Sequence, residues 1–310
     1  MKRIIIANLV DWSESFVDEN GTFYCGTTLE QKKNAAKLVR EADLVIETTD
    51  LHPITAPEHN INGGLYPAHN AVNPEEYSQD FIYCLTQTNA LKLGNKTLSP
   101  RLTKIIADEL NGKERALIVP RGLYYQSGLK EPFCKPEDIE KTFDSRIITA
   151  QEFLQRDYKH IIAPKQYFDA TRLDSDWLID ERYNEDEAID RAINRAMTGV
   201  DPDNIRIPKT NYNVYSLLEK KFPRSEYEIV MINTGVVEGI CRLHTSIGQR
   251  QMFPTSRIIN VSDATTHLYG IGLGYETQEQ SREACTRVGK DIGIEYLTTE
   301  QALEEIRRIR

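Results

Sequence analysis

No hydrophobic run in this chain approaches the roughly 20 residues that a membrane-crossing helix needs. Cysteine is sparse. The five present (Cys25, Cys84, Cys134, Cys241, Cys285) are odd in number and widely spaced, and no CxxC pair occurs, so neither a disulfide framework nor a zinc knuckle is indicated. Positive charge is in deficit. Thirty-eight Lys and Arg against 47 Asp and Glu leave a net charge of −9, which argues against nucleic acid or an anionic membrane as partner. No internal repeat or low-complexity tract stands out. The amino end, Met1-Lys2-Arg3-Ile4-Ile5-Ile6, passes straight into a strand pattern without the plan of a signal peptide, and the unpaired thiols suit a reducing cytoplasm. What remains is ordinary for a globular protein: 310 residues, 40% hydrophobic and 27% charged, enough for one large domain or two smaller ones.

Apolar runs of strand length recur along the chain. They cover residues 3–10, 43–48, 204–209, 228–234 and 257–261, and continuous runs of this kind suit strands buried on both faces. Helical patterns lie between them. One covers residues 29–42, where Thr28 and Gln31 form a capping box and Ala35, Leu38, Val39 and Ala42 share a face. Others cover residues 216–222, 242–249 and the tail from Thr299, the last with Thr298 and Gln301 as a capping box. Alternating strands and helices predict an α/β fold in three layers, α/β/α, around a mostly parallel sheet. Residues 74–203 interrupt the pattern. They contain two further strand-like runs (116–119 and 160–163) and polar helical stretches, so they read as a large insertion or subdomain within a core of 1–73 and 204–310.

In parallel sheets ligands bind outside the carboxyl ends of the strands, and the chemically capable residues of this chain fall at such ends. Asp11 follows the first strand, Asp50 and His52 the second, Lys209 the third core strand and Cys241 the fourth. Cys241 comes between an apolar strand and a helix, after a glycine turn. The helix dipole there favours a thiolate, the nucleophilic form, although a lone cysteine is more often structural. A carboxylate at Asp11 can take the thiol proton and return it to a leaving amine, and an ammonium nearby can steady the thiolate. Lys209 is the expected ammonium, because a single helix separates its strand from that of Cys241. Lys165, in Pro164-Lys165-Gln166-Tyr167, also ends an apolar run and is its rival. Asp50 and His52 alternate in an extended segment, so they face the same way. His69 lies 17 residues further on, and two imidazoles with a carboxylate suit a divalent transition metal with open positions; His59 could replace one ligand.

Residues 3–72 and 204–285 together resemble the cysteine hydrolase superfamily that includes nicotinamidases and isochorismatases. Asp11-Trp12-Ser13-Glu14-Ser15-Phe16 is similar to the opening Asp-x-Gln-x-x-Phe pattern, with Ser13 in place of Gln. Asp50, His52 and Pro53, then Tyr66, Pro67 and His69, match the nicotinamidase metal motif. Gly235 to Cys241 matches the nucleophile motif, and Asp263-Ala264 the Asp-Ala after the next strand. Glu238-Gly239 stands where Thr-Asp is frequent, and the tight Lys209-x-x-Tyr212 spacing is similar to the isochorismatase side.

The resemblance implies a triad of Cys241, Asp11 and Lys209, and a cis peptide between Val236 and Val237. It also implies an oxyanion site at the Val237 and Cys241 amides, and a divalent metal, expected to be zinc, on Asp50, His52 and His69. The implied activity is hydrolysis of nicotinamide to nicotinate and ammonia through a cysteine thioester. Phe16 and Tyr66 would line the ring pocket. The partner is then a small-molecule amide; a homo-oligomer is compatible with the sequence, which says nothing of subunit count. Two rivals remain. One is a metal-independent hydrolase of a carbamoyl or ureido compound on the same scaffold, and the other is a non-catalytic binding protein in which residues 74–203 recognise a partner.

Overall fold

The computed structural model describes residues 1–12, 14–17, 19, 23–50, 52–53, 60, 63–67, 69, 71–72, 92–93, 96–97, 115–117, 146–147, 150–165, 168–171, 214–270 and 274–310. The chain begins with strand β1 (Lys2–Val10), helix α1 (Leu29–Glu41) and strand β2 (Leu44–Asp50). Two short strands follow, β3 (Arg115–Leu117) and β4 (Arg146–Ile147), then helix α2 (Ala150–Gln155) and strand β5 (His160–Lys165). The carboxyl half contains α3 (Val214–Lys221), β6 (Tyr227–Gly235), α4 (Leu243–Met252), β7 (Arg257–Thr265), α5 (Gln278–Asp291), β8 (Glu295–Leu297) and α6 (Thr299–Ile309). Among the described residues no helix is long and apolar enough to cross a membrane.

These strands form one eight-stranded sheet in the order β8-β7-β6-β1-β2-β5-β3-β4. Every pairing in it is parallel. Successive residues of each strand supply opposite faces, as the pleat requires. Ile6, Ile46, Ile161, Met231 and Ile258 belong to one apolar cluster with Phe153 of α2, Tyr215 and Leu218 of α3, and Phe253 just after α4. Ile5, Val230, Ile232, Ile259 and Val261 belong to another with Leu38 of α1 and Ala302, Leu303 and Ile306 of α6. The expected three-layer α/β/α fold is therefore present, with a sheet that is wholly parallel. Both capping boxes form: Thr28 and Gln31 close the start of α1, and Thr298 and Gln301 the start of α6.

The expected division of the chain does not match the strand pairing. Residues 74–203 were separated from the core, yet β3, β4 and β5 all lie within that range and extend the main sheet beyond β2. The physical reason is an open edge. With β1 covered on one side by β6, the free edge of β2 takes β5, from Val45 opposite His160 to Asp50 opposite Lys165. The strand expected over 204–209 lies outside the described residues.

Candidate active site

Four neighbouring strands, β6, β1, β2 and β5, end on the same side of the sheet, and each delivers one polar group there. Asp11 is the first residue after β1. Its backbone adopts a left-handed conformation (φ 52°), its N–H donates to the Thr48 carbonyl at 2.9 Å, and its side chain is fully buried. Asp50 ends β2, and its N–H donates to Asp11 Oδ1 at 2.8 Å. Lys165 ends β5 in register with Asp50, and its Nζ lies 2.8 Å from Asp11 Oδ2 and 3.7 Å from Asp50 Oδ1. Cys241 follows β6 and lies close enough to Asp11 for the carboxyl and the thiol to act on one another. The sulfur, the carboxyl and the amine are all buried.

The turn that carries Cys241 needs its glycine. Gly235 has φ 128°, and a Cβ there would stand 2.0 Å from the Val10 carbonyl oxygen, so β6 and the end of β1 could not stay paired. The peptide between Val236 and Val237 is cis. Beyond it, Glu238–Arg242 forms a π-helical turn with a non-helical residue, Ile240, just before the cysteine. The N–H groups of Val236, Glu238, Ile240 and Arg242 donate to the carbonyls of Val10, Thr266, Val237 and Val237, respectively. The expected oxyanion donors, the Val237 and Cys241 amides, alternate with these along the turn. The Trp12 indole N–H donates to Thr234 Oγ1 at 2.9 Å and ties the segment after β1 to β6.

Burial governs the electrostatics. It raises the Asp11 carboxyl above the usual range; Lys165 opposes this, Asp50 adds to it, and the hydrogen bond from Cys241 opposes it. Burial also pushes the Cys241 thiol well up, with Asp11 adding to the rise and Lys165 opposing it. For Lys165, burial pulls downward, but Asp11, Cys241 and Asp50 outweigh it and hold the amine protonated. The sequence suggested a thiol that ionises readily at a helix end. The opposite holds, because the sulfur is desolvated and faces a carboxylate, and these effects outweigh a helix dipole. Burial and the carboxylate thus favour the protonated thiol.

Lys209, the expected ammonium, lies outside the described residues. Among the described residues, the lysine beside Asp11 is Lys165, the rival at the end of β5. Its strand lies two places from β1, and its long side chain spans β2, a reach of about 10 Å between strands that spacing along the sequence does not reveal.

Of the expected metal ligands, Asp50 and His69 come together, with Asp50 Oδ2 3.3 Å from His69 Nε2. His52 lies on a two-residue strand paired in parallel with Ala71–Val72, and its side chain, like His59, is outside the described residues. Among the described residues no group of three or more His, Cys, Asp or Glu is arranged to hold a metal. The pair itself fits one. His69 Nδ1 lies 2.6 Å from the Pro67 carbonyl, so Nδ1 donates there and Nε2 is the nitrogen turned to the Asp50 carboxylate. A proton or a cation between Nε2 and the carboxylate completes such a contact, and a carbonyl behind the other ring nitrogen is the usual support of a ligating histidine.

An aromatic wall surrounds His69. Phe16 and Phe23 stand 5.1 and 5.2 Å from its ring, Tyr66 stands 6.5 Å away, and Phe23 lies 5.8 Å from both Phe16 and Tyr66. Phe16 and Tyr66 were expected there. Phe23 was not, and its one signal in the sequence is an aromatic in the polar stretch Asn20-Gly21-Thr22-Phe23.

No family model matches the chain, and no curated protein does. Among solved structures the chain is similar to PnC1 from L. infantum in complex with nicotinate, at 10% identity and a TM-score of 0.49, covering 97% of this chain and 96% of that one. It is similar to the yeast nicotinamidase Pnc1p at 13% identity and a TM-score of 0.48, covering 95% and 99%. A pyrazinamidase of Pyrococcus horikoshii in complex with zinc is similar at 11% identity and a TM-score of 0.39, covering 95% and 98%.

Proposed function

We propose that the protein is a cysteine amidohydrolase that cleaves the carbon–nitrogen bond of a small carboxamide, with nicotinamide as substrate and nicotinate and ammonia as products. The observation that carries this reading is the buried contact of Asp11 with both Lys165 and Cys241. A structural role for a buried acid and amine beside a thiol is a weak explanation, because the acid and the amine each cost free energy to desolvate. A carboxyl with a raised pKa is the stronger base, and so better matched to a thiol of high pKa. In the proposed reaction Asp11 accepts the Cys241 proton as sulfur attacks the carboxamide carbon. Lys165 balances the charge of the Asp11–sulfur pair throughout, and the Val237 and Cys241 amides receive the developing oxyanion. Asp11 then protonates the departing ammonia, and water hydrolyses the thioester with Asp11 again as base.

The resemblance of the sequence favours nicotinamide, and the ring wall of Phe16, Phe23 and Tyr66 is of a chemistry that stacks on a pyridine. Asp50 and His69, with His52, are the residues that would hold a divalent metal, zinc for this donor set. Bound there, it supplies a Lewis-acid contact that orients the ring nitrogen. A metal-independent hydrolase of a carbamoyl or ureido compound is the second reading. The closeness of Asp50 to Lys165 favours it, since a carboxylate that already faces an ammonium is a poorer metal ligand. The test is ammonia release from nicotinamide by the purified protein and its Cys241→Ala variant, with and without a chelator. Release by the parent alone, lost with chelator, supports the first reading. Release only from carbamoyl compounds, unaffected by chelator, favours the second. No release from any amide by either form would defeat both.

A further inference from the structure

A second buried constellation lies behind the nucleophile, and the proposed reaction does not use it. Glu238 and Arg242 sit one turn apart on the π-helical segment, on either side of Cys241 in sequence, and pair with each other; neither side chain is exposed to solvent. The Tyr296 hydroxyl of β8 lies 3.2 Å from Glu238 Oε1 and 3.0 Å from the Cys285 carbonyl of α5. The Arg242 guanidinium lies 5.5 Å from the centre of the Tyr296 ring. The tie continues into the sheet. Asn260 of β7 reaches the Tyr296 hydroxyl at 3.4 Å, and the Ser246 hydroxyl donates to the Arg242 carbonyl at 2.8 Å and lies 2.8 Å from Asn260 Oδ1. Asn233 of β6 donates to Ser246, Gln249 and Asn260 at 3.0, 2.7 and 3.0 Å.

A buried ion pair is a poor device for stability, because apolar residues of similar volume fill the same space at little or no cost. Its position is more informative. It bridges the kink at Ile240, where the backbone leaves the helical path just ahead of the cysteine. The charged groups that act most on the Cys241 thiol are Asp11, Lys165 and Asp50. The lever of the pair on the sulfur is the backbone of the turn that joins them.

We propose that the Glu238–Arg242 pair, anchored on Tyr296, is a positioning device that holds the kinked π-turn so that the Cys241 sulfur and the Val237 and Cys241 amides stand in reacting geometry. This rests on the amidohydrolase reading for its kinetic consequence, while its chemical consequence at the thiol is independent of substrate. Such a turn has several backbone shapes of similar energy, and a salt bridge across it selects one.

The test compares the parent protein with a double variant, Glu238→Leu with Arg242→Met, and with Arg242→Lys and Tyr296→Phe, each checked for a cooperative thermal transition. Two rates are read: ammonia release from nicotinamide, and alkylation of Cys241 by iodoacetamide, followed by mass spectrometry. In the folded double variant kcat is expected to fall about tenfold or more with KM little changed, since a misplaced attacking group costs rate rather than binding. Alkylation is expected to slow as well, because the sulfur drifts from Asp11, the base that accepts its proton in the proposed reaction. Arg242→Lys, which keeps the pair, recovers most of both rates. If the double variant does not fold, Tyr296→Phe carries the comparison and must show a smaller loss of the same kind. Parent-like kcat and alkylation in a folded variant overturn the proposal, and so does faster alkylation, which would make the pair a shield. If the parent releases no ammonia but its alkylation depends on the pair as described, the amidohydrolase reading fails and the positioning role stands.

Discussion

Lys165 Nζ lies 2.8 Å from Asp11 Oδ2 although a whole strand, β2, separates the strands that carry them. The contact crosses β2 at its last residue, where Asp50 donates its N–H to the other oxygen of the same carboxyl. Asp11 is thereby held from two sides and presents itself to Cys241.

Removal of the amine should be costly in two ways. Lys165→Met leaves a desolvated carboxylate with no counter-charge, which costs about 3–5 kcal/mol of stability, and lowers turnover by about 100-fold or more. Asp11→Asn in the same chain should restore much of the stability and none of the turnover. Chemical denaturation and ammonia release measure the two effects separately. Lys209→Met in parallel decides between the lysines, since loss at 209 with retention at 165 would assign the cation to Lys209.

Cys241→Ala should abolish ammonia release and change the folding free energy by only about 1 kcal/mol, because it removes a single buried sulfur atom. A variant that keeps turnover would remove sulfur from the mechanism.

Gly235→Ala should unfold the protein at markedly lower denaturant. The added methyl meets the Val10 carbonyl oxygen at 2.0 Å in a backbone conformation foreign to alanine, a penalty on the order of 3 kcal/mol. An unchanged midpoint would show that β6 and β1 can shift there without loss.

Stability should fall in mild acid through His267. Burial, with Arg242 and Arg282 adding to it, lowers this imidazole from 6.5 to about 3. In the unfolded chain it takes up a proton near its ordinary value, while in the folded protein it does not until far lower. The contribution is therefore complete above about pH 6.5 and is lost as pH falls toward 3, by up to about 1.4 kcal/mol per unit. His267→Gln should flatten this part of a denaturation-versus-pH curve.

Zinc binding offers a check apart from activity. Titration calorimetry on the metal-stripped protein should show one site, weakened about tenfold or more by His69→Ala and by His52→Ala alike. Loss with His69→Ala alone would leave His52 outside the ligand set.

Much of this molecule is written locally. The capping boxes at Thr28 and Thr298, the apolar runs of β1, β2, β6 and β7, and the strand–glycine–helix passage into Cys241 depend on residues within a few positions of one another, so periodicity and spacing determine them. Which strands flank β1 and β2 is decided by pairings between residues more than a hundred positions apart, Lys2 with Tyr227 and Val45 with His160, and spacing contains no record of it. For that reason the sequence placed acid and thiol at strand ends but left two lysines, Lys209 and Lys165, as rivals for the amine, and the pairing of β2 with β5 brings Lys165 to Asp11. The direction of the Cys241 shift and the burial of Glu238 with Arg242 belong to the tertiary structure for the same reason: desolvation depends on what the rest of the chain packs over a group, and only the folded molecule determines that.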